Sequence, residues 1–236
     1  MKEVFIRQEM ALGREAMERL DQAHVAVFGI GGVGSFVCEA LARSGVGALT
    51  LVDCDTISQS NINRQLIALH STLGKYKADV MKDRILDINP DCLVRAINDL
   101  YNEENKEKFF DTRYTYISDC IDLVSCKLSL IQNALERNIP IISALGTGNK
   151  LDASAFQVSD ISKTSGCPLA RILRKELRSR GIVHHKVVFS PEEPLEPLQF
   201  EAPPPGRRSV PASVSFVPSS AGLLLAGAII RDIAGV

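Results

Sequence analysis

One short segment constrains this chain more than any other: Gly29-Ile30-Gly31-Gly32-Val33-Gly34. It follows a compact apolar run, His24-Val25-Ala26-Val27-Phe28. It opens a helical pattern that continues to Ser44 and stops at Gly45. Glycines here let the backbone turn tightly and come close to a phosphate, and the following helix offers unbonded N–H groups. The glycine spacing alone is a weak signal; the strand–turn–helix setting gives it weight. Asp53 closes the next apolar run, Leu49-Thr50-Leu51-Val52, nineteen residues beyond Gly34. That is where an acidic side chain reaches a nucleotide ribose. Asp55 stands two residues further on.

The rest of the pattern alternates in the same way. Strands are predicted at Cys92 to Ile97, Tyr114 to Asp119 and Ile139 to Ala144, with helices over Lys75 to Ile88 and Leu123 to Arg137. Met10, Leu12, Met17 and Leu20 predict one short amphipathic helix over residues 9–22. The fold class is therefore α/β, a Rossmann-like, doubly wound, mostly parallel sheet. Residues 1–150 read as a nucleotide-binding domain and residues 151–236 as a C-terminal extension packed on the same sheet. In that extension a strand is predicted near Phe156-Gln157-Val158, a helix over Pro168 to Arg180, a strand over Ser213 to Val217 and an apolar helix over Ala221 to Ile233. Residues 191–218 hold eight of the eleven prolines, so a proline-rich loop is expected, centred on 191–211.

The stretch after the second strand favours a nucleoside triphosphate over a dinucleotide. Ser60-Asn61-Ile62-Asn63-Arg64-Gln65 and Gly74-Lys75-Tyr76-Lys77 supply an Arg with a bidentate grip and a Lys with a point charge. Asp119-Cys120-Ile121-Asp122 ends the fourth strand, facing the same crevice as the glycine loop. A carboxylate there can hold Mg²⁺ against phosphates.

These residues together resemble the ThiF/MoeB/HesA superfamily, relatives of the ubiquitin-activating enzymes, from about Arg7 to Gly148. The resemblance implies an enzyme that uses ATP to activate a carboxylate. It implies that Gly29, Gly31, Gly32 and Gly34 form the phosphate loop, that Asp53 holds the ribose with Asp55 also at the cofactor, and that Asn61, Arg64 and Lys77 meet the phosphates. It also implies that residues 1–150 bind ATP while 151–236 serve substrate binding and dimerisation. Asp122 would hold Mg²⁺. Arg64, Lys77 and Asp122 would be the catalytic set. Arg7 resembles an N-terminal arginine that reaches across a homodimer to the partner's ATP. The family's usual Asp-Asn pair reads Asp122-Leu123 here.

The branch narrows further. Asp160-Ile161-Ser162-Lys163-Thr164, Pro168-Leu169-Ala170, Arg43-Ser44-Gly45-Val46-Gly47 and Ile88-Asn89-Pro90 resemble the tRNA threonylcarbamoyladenosine dehydratases. That likeness implies ATP-dependent cyclisation of N6-threonylcarbamoyladenosine at tRNA position 37, with tRNA as partner and a structural Na⁺ or K⁺. The competing reading is an adenylyltransferase acting on the C-terminus of a ubiquitin-like sulfur carrier. Members of that kind commonly carry two C-x-x-C pairs for zinc. The six cysteines here form none. Some dehydratase relatives bear a C-terminal cysteine that takes sulfur from a cysteine desulfurase. The matching stretch, Arg207 to Ser213, has no cysteine, so that partner is not carried over.

A formal net charge of −1 argues against a protein that coats nucleic acid. It averages a basic helix against acids at Glu192, Glu193, Glu196 and Glu201. On that helix Leu169, Ile172, Leu173 and Leu177 predict one apolar face, and Arg171, Arg174, Lys175, Arg178 and Arg180 fall mostly on the others, the pattern of an ordinary solvated face or of a grip on an RNA phosphate backbone. Cys167 is the one cysteine in a polar, turn-like setting, ahead of a helix N-terminus. His184 and His185 are too isolated to be metal ligands. The charged N-terminus is unlike a signal peptide, the Ala221–Ile230 run is short for a membrane span, and a cytoplasmic protein without stable membrane insertion is expected.

Overall fold

The computed structural model describes residues 3–200 and 210–236. Seven strands form one sheet: β1 (His24–Phe28), β2 (Ala48–Val52), β3 (Leu93–Ile97), β4 (Tyr116–Asp119), β5 (Ile141–Ala144), β6 (Gln157–Asp160) and β7 (Lys186–Phe189). Their order is β3-β2-β1-β4-β5-β7-β6. All pairings are parallel except β6 with β7. The central strands are buried on both faces, as their near-continuous Val, Ile, Leu and Ala content requires.

Seven α-helices cover the sheet: α1 (Ile6–Leu12), α2 (Arg14–Asp21), α3 (Gly34–Arg43), α4 (Lys77–Ile88), α5 (Val124–Glu136), α6 (Pro168–Ser179) and α7 (Phe216–Ala234). Two apolar cores result. One gathers Val37, Leu41, Met81, Ile85, Ala221, Leu225 and Ile229 with Val25 and Leu49. The other gathers Leu130, Ile131, Leu173 and Leu177 with Phe28 and Ile117. Helices α3, α4 and α7 thus lie on one face and α5 and α6 on the opposite face.

Helix α7 is the tightest lid on the first core. Val217, Ala221, Leu225, Ala226 and Ile229 are fully buried, each Val, Leu or Ile contributing roughly 1.5–3 kcal/mol. A Cβ on Gly222 would lie 2.5 Å from the Val33 carbonyl oxygen, so only glycine lets α7 sit this close to α3. Tyr116 Oη donates to Asp232 Oδ2 (2.6 Å), and Lys186 Nζ donates to the same carboxylate (2.7 Å). These bonds tie α7 to β4 and β7. By length and composition α7 is apolar enough to cross a membrane, but its contacts are those of a core helix.

Four sequence expectations need correction. The single helix over 9–22 is two helices, because Gly13 (φ +84°) breaks it. No strand forms over Ser213–Val217; the chain there runs irregularly into α7, which starts at Phe216. Strand β7 was not expected, since Lys186-Val187-Val188-Phe189 is short and follows a basic, histidine-bearing stretch. Ile172 is 47% exposed rather than part of the apolar face of α6. Of the proline-rich segment, Glu201 to Ser209 lies outside the described residues.

Candidate active site

Strand order reverses between β1 and β4, and an open crevice forms at the carboxyl ends of the strands there. The cleft measures about 820 Å³. Gly29, Gly31, Gly32, Asp53, Asp55, Asn61, Arg64, Lys77 and Asp122 all line it. Residues scattered over almost a hundred positions of sequence therefore meet at one edge of the sheet.

The glycines do different work. Gly29 holds φ +88°, and a Cβ there would sit 2.7 Å from the Cys120 carbonyl oxygen. Its bareness brings the loop after β1 against the turn after β4. Over Gly31 the nearest atom to a Cβ would be Gln65 Nε2 at 3.9 Å, so the floor of the cleft is open there. Gly34 does not line the cleft. A Cβ on it would fall 1.8 Å from the Gly29 carbonyl oxygen, so it serves the fold of the loop rather than ligand approach.

Asp53 organises the loop. Its Oδ2 accepts from the Ile30 N–H at 2.6 Å and its Oδ1 from the Asp55 N–H at 2.9 Å. Burial pushes its carboxyl up, and the nearby Lys77 charge opposes that shift. Lys77 is buried to 5% exposure and starts α4. Its Nζ donates to Asp55 Oδ2 at 2.6 Å and lies 4.0 Å from Asp53 Oδ1. Arg64 donates to the Ser60 carbonyl at 2.8 Å and Asn63 Oδ1 at 2.9 Å. It meets no carboxylate in an ion pair among the described residues, and burial lowers its pKa. Asn61 Oδ1 accepts from the Ser58 N–H at 3.1 Å, which leaves its amide nitrogen free of that bond. Buried Gln65 Oε1 has no hydrogen-bond partner. An uncompensated guanidinium and an open glycine floor fit a polyanionic ligand, whereas the orphan Gln65 Oε1 asks for a donor. Asp122 is exposed within the cleft. Arg7 is exposed on α1 and does not line this chain's cleft.

Three features had no sequence expectation. First, Asp119 and Lys127 are a fully buried pair, Nζ to Oδ2 2.7 Å. Ser143 Oγ donates to the same oxygen at 2.5 Å and lies 2.8 Å from His185 Nε2. Lys127 also donates to the Ala144 carbonyl (3.0 Å), and Asp119 Oδ1 accepts from the Ile121 N–H (3.1 Å). This network fixes the ends of β4 and β5 beneath the cleft. Burial holds His185 neutral, its pKa pushed down to about 3, with the Lys127 charge adding to the effect. Second, Asn149 (φ +59°) clasps both flanks of the proline-rich segment. Its N–H donates to the Ala212 carbonyl (2.8 Å), its Oδ1 accepts from the Ala212 N–H (2.7 Å), and its carbonyl accepts from the Leu195 N–H (2.8 Å). Asn63 Nδ2 donates to the Ser213 carbonyl at 2.9 Å. The segment therefore borders the cleft through Pro194 and Pro211 to Ser213. Third, Cys54 and Cys120 line the cleft beside Cys167. Cys167 is buried to 4% exposure at the cap of α6, not set in an open polar turn. Cys54 is the exposed one, its thiol pushed up by burial and by Asp55. Burial also raises Cys120, to about 12.

Residues 5–236 match the ThiF family. The chain belongs to that family. The tRNA threonylcarbamoyladenosine dehydratase of Bacillus subtilis (strain 168) is 46% identical over 238 residues, covering 97% of this chain and 94% of its own length. The crystal structure of the Escherichia coli tRNA N6-threonylcarbamoyladenosine dehydratase in complex with ATP matches with a TM-score of 0.88 at 33% identity, covering 98% of this chain and 93% of that one. A molybdopterin-synthase adenylyltransferase of Salmonella typhimurium is more distant, 33% identical over 55% of this chain and 51% of its own length.

Proposed function

We propose that this protein is an ATP-dependent tRNA threonylcarbamoyladenosine dehydratase. The carrying observation is the joint placement of Gly31, Arg64, Lys77 and Asp122 on one cleft, in a chain that matches a dehydratase over nearly its whole length. The shorter match to the adenylyltransferase, together with the lack of C-x-x-C pairs, leaves the sulfur-carrier reading without a supporting observation.

A carboxylate is a poor acyl donor, and ATP makes it a good one by giving it a phosphate-linked leaving group. The threonyl carboxylate of the modified base would be the group activated. A nucleophile on the same base then closes the ring, and proximity replaces a second binding step. The carboxylate oxygen departs with the phosphate-linked leaving group and the nucleophile gives up its proton, so the elements of water are removed from the base at the expense of ATP cleavage. Gly31 and Gly32 let the triphosphate approach the N-terminus of α3. Arg64 and Lys77 neutralise charge that builds on the phosphates. Asp53 holds the loop and the ribose, with Asp55 keeping Lys77 in place. Asp122 would hold Mg²⁺, which shields phosphate charge; one carboxylate plus phosphate oxygens suits this ion. Among the described residues no group of three or more His, Cys, Asp or Glu offers a site formed by protein alone. A structural Na⁺ or K⁺ would therefore rely on carbonyl or hydroxyl oxygens. The protein would act as a homodimer in the cytoplasm, each Arg7 serving its partner's site.

The test is a mass-spectrometric digest of tRNA incubated with the enzyme, ATP and Mg²⁺. Cyclic N6-threonylcarbamoyladenosine is expected. Its absence, with ATP bound normally, overturns the reading.

A further inference from the structure

Helix α6 leads away from the cleft. Cys167, Pro168 and Leu169 at its start line the cleft wall. Ala170, Leu173 and Leu177 form its buried edge. On the far flank Arg171, Lys175 and Arg178 are all exposed. They fall at i, i+4 and i+7, which places three cations in one row about 10 Å long.

The neighbouring cations are already engaged. Arg174 donates to the Thr164 carbonyl (2.7 Å) and hydroxyl (2.6 Å) and serves the fold. Arg180 pairs with Glu176 at 3.0 Å. No ion pair among the described residues engages Arg171, Lys175 or Arg178. Glu176 is the sole acid on the helix, and it belongs to the opposite flank. An ordinary solvated face would interleave acids at i+4 spacing. Like charges at that spacing cost an isolated helix about 0.2–0.5 kcal/mol per pair. The row carries that cost, and it begins within one helical turn of Leu169 at the cleft wall.

We propose that Arg171, Lys175 and Arg178 form the surface that holds the RNA phosphate backbone next to the base seated in the cleft. The proposal rests on the tRNA reading above. The polyanion must leave the cleft along some wall, and among the described residues this wall joins the cleft to a run of cations outside any ion pair on one regular element.

The test is the triple variant Arg171→Glu, Lys175→Glu, Arg178→Glu, with the Gln triple as a milder partner. The probe is an ANN-reading tRNA carrying N6-threonylcarbamoyladenosine, titrated over a salt series. Charge reversal should weaken tRNA binding by more than about tenfold, and the Gln triple should flatten the log K against log salt slope by about 2, from about 0.7 per phosphate lost on a single strand. The KM for tRNA should rise, while ATP affinity and the thermal midpoint stay at the wild-type level. Unchanged tRNA affinity and salt slope overturn the surface, and so does an equal loss of ATP affinity. Wild-type protein that binds tRNA through this row but forms no cyclic product sinks the functional reading and leaves the surface standing. Wild-type protein that cyclises tRNA while the triple variant binds it normally does the reverse.

Discussion

At the scale of single residues, exposure separates chemistry from architecture. Asp122 is exposed in the cleft, so Asp122→Ala should leave the thermal midpoint near wild type. Cyclisation should fall on the order of 10²- to 10³-fold, the usual loss when one charge-stabilising group goes. Product formation by mass spectrometry checks this, and wild-type rates would remove Asp122 from the mechanism. Lys127 is the opposite case. Lys127→Met strands the buried Asp119 charge and should cost about 3–5 kcal/mol of stability. Chemical unfolding measures that, and the double change Lys127→Met with Asp119→Leu should recover part of it. His185 adds a pH signature. Its folded pKa, about 3, lies below the 6.5 of the free side chain. Between those values the unfolded chain binds more protons, so stability is full above pH 6.5 and falls as pH drops toward 3. His185→Gln should flatten the midpoint-against-pH curve in that window; an unchanged slope would assign the acid sensitivity elsewhere.

At the scale of elements, local glycine demands predict which turns matter to the nucleotide. Gly29→Ala meets both a positive φ and the Cys120 carbonyl. It should destabilise by more than the about 1–3 kcal/mol of backbone strain alone, and it should weaken ATP binding by shifting the turn that carries Asp122. Gly181→Ala has a similar φ of +77° but nothing within 4 Å. It should show the strain without the loss of ATP affinity. Calorimetric titration of both variants separates the two effects. The same elements show what was legible in the sequence. Five parallel strands were readable because each is a short run rich in β-branched or other apolar residues that alternates with a helical pattern. The cleft was readable because Gly29, Asp53 and Asp122 follow strand ends and Arg64 and Lys77 fall in the stretch from β2 to the first residue of α4. Strand β7 was not, since four residues after a basic loop carry too little periodicity. The clasp at Asn149 and the Asp119–Lys127–Ser143–His185 network were not either. The network joins side chains from β4, α5, β5 and the turn before β7, and the clasp joins Asn149 to backbone groups of Leu195 and Ala212, so no spacing within one segment records either.

At the scale of the whole molecule, Arg7 and Asp122 make dimerisation testable. If Arg7 serves the partner's cleft, Arg7→Ala and Asp122→Ala proteins should each be nearly inactive. Mixed in equal amounts and allowed to exchange subunits, they should recover about a quarter of wild-type activity, because half the dimers then hold one intact site. No recovery, with exchange verified by mass, would confine Arg7 to its own chain. A last consequence concerns the order in which the ribosome delivers the parts. Every residue placed around the phosphates and ribose has emerged by Asp122, yet the core beneath them stays open until α7 arrives with Val217, Leu225 and Ile229. Strand β7 must also slip between β5 and the already made β6. A nascent chain that stops before α7 would therefore carry these cleft residues without the packed core that aims them.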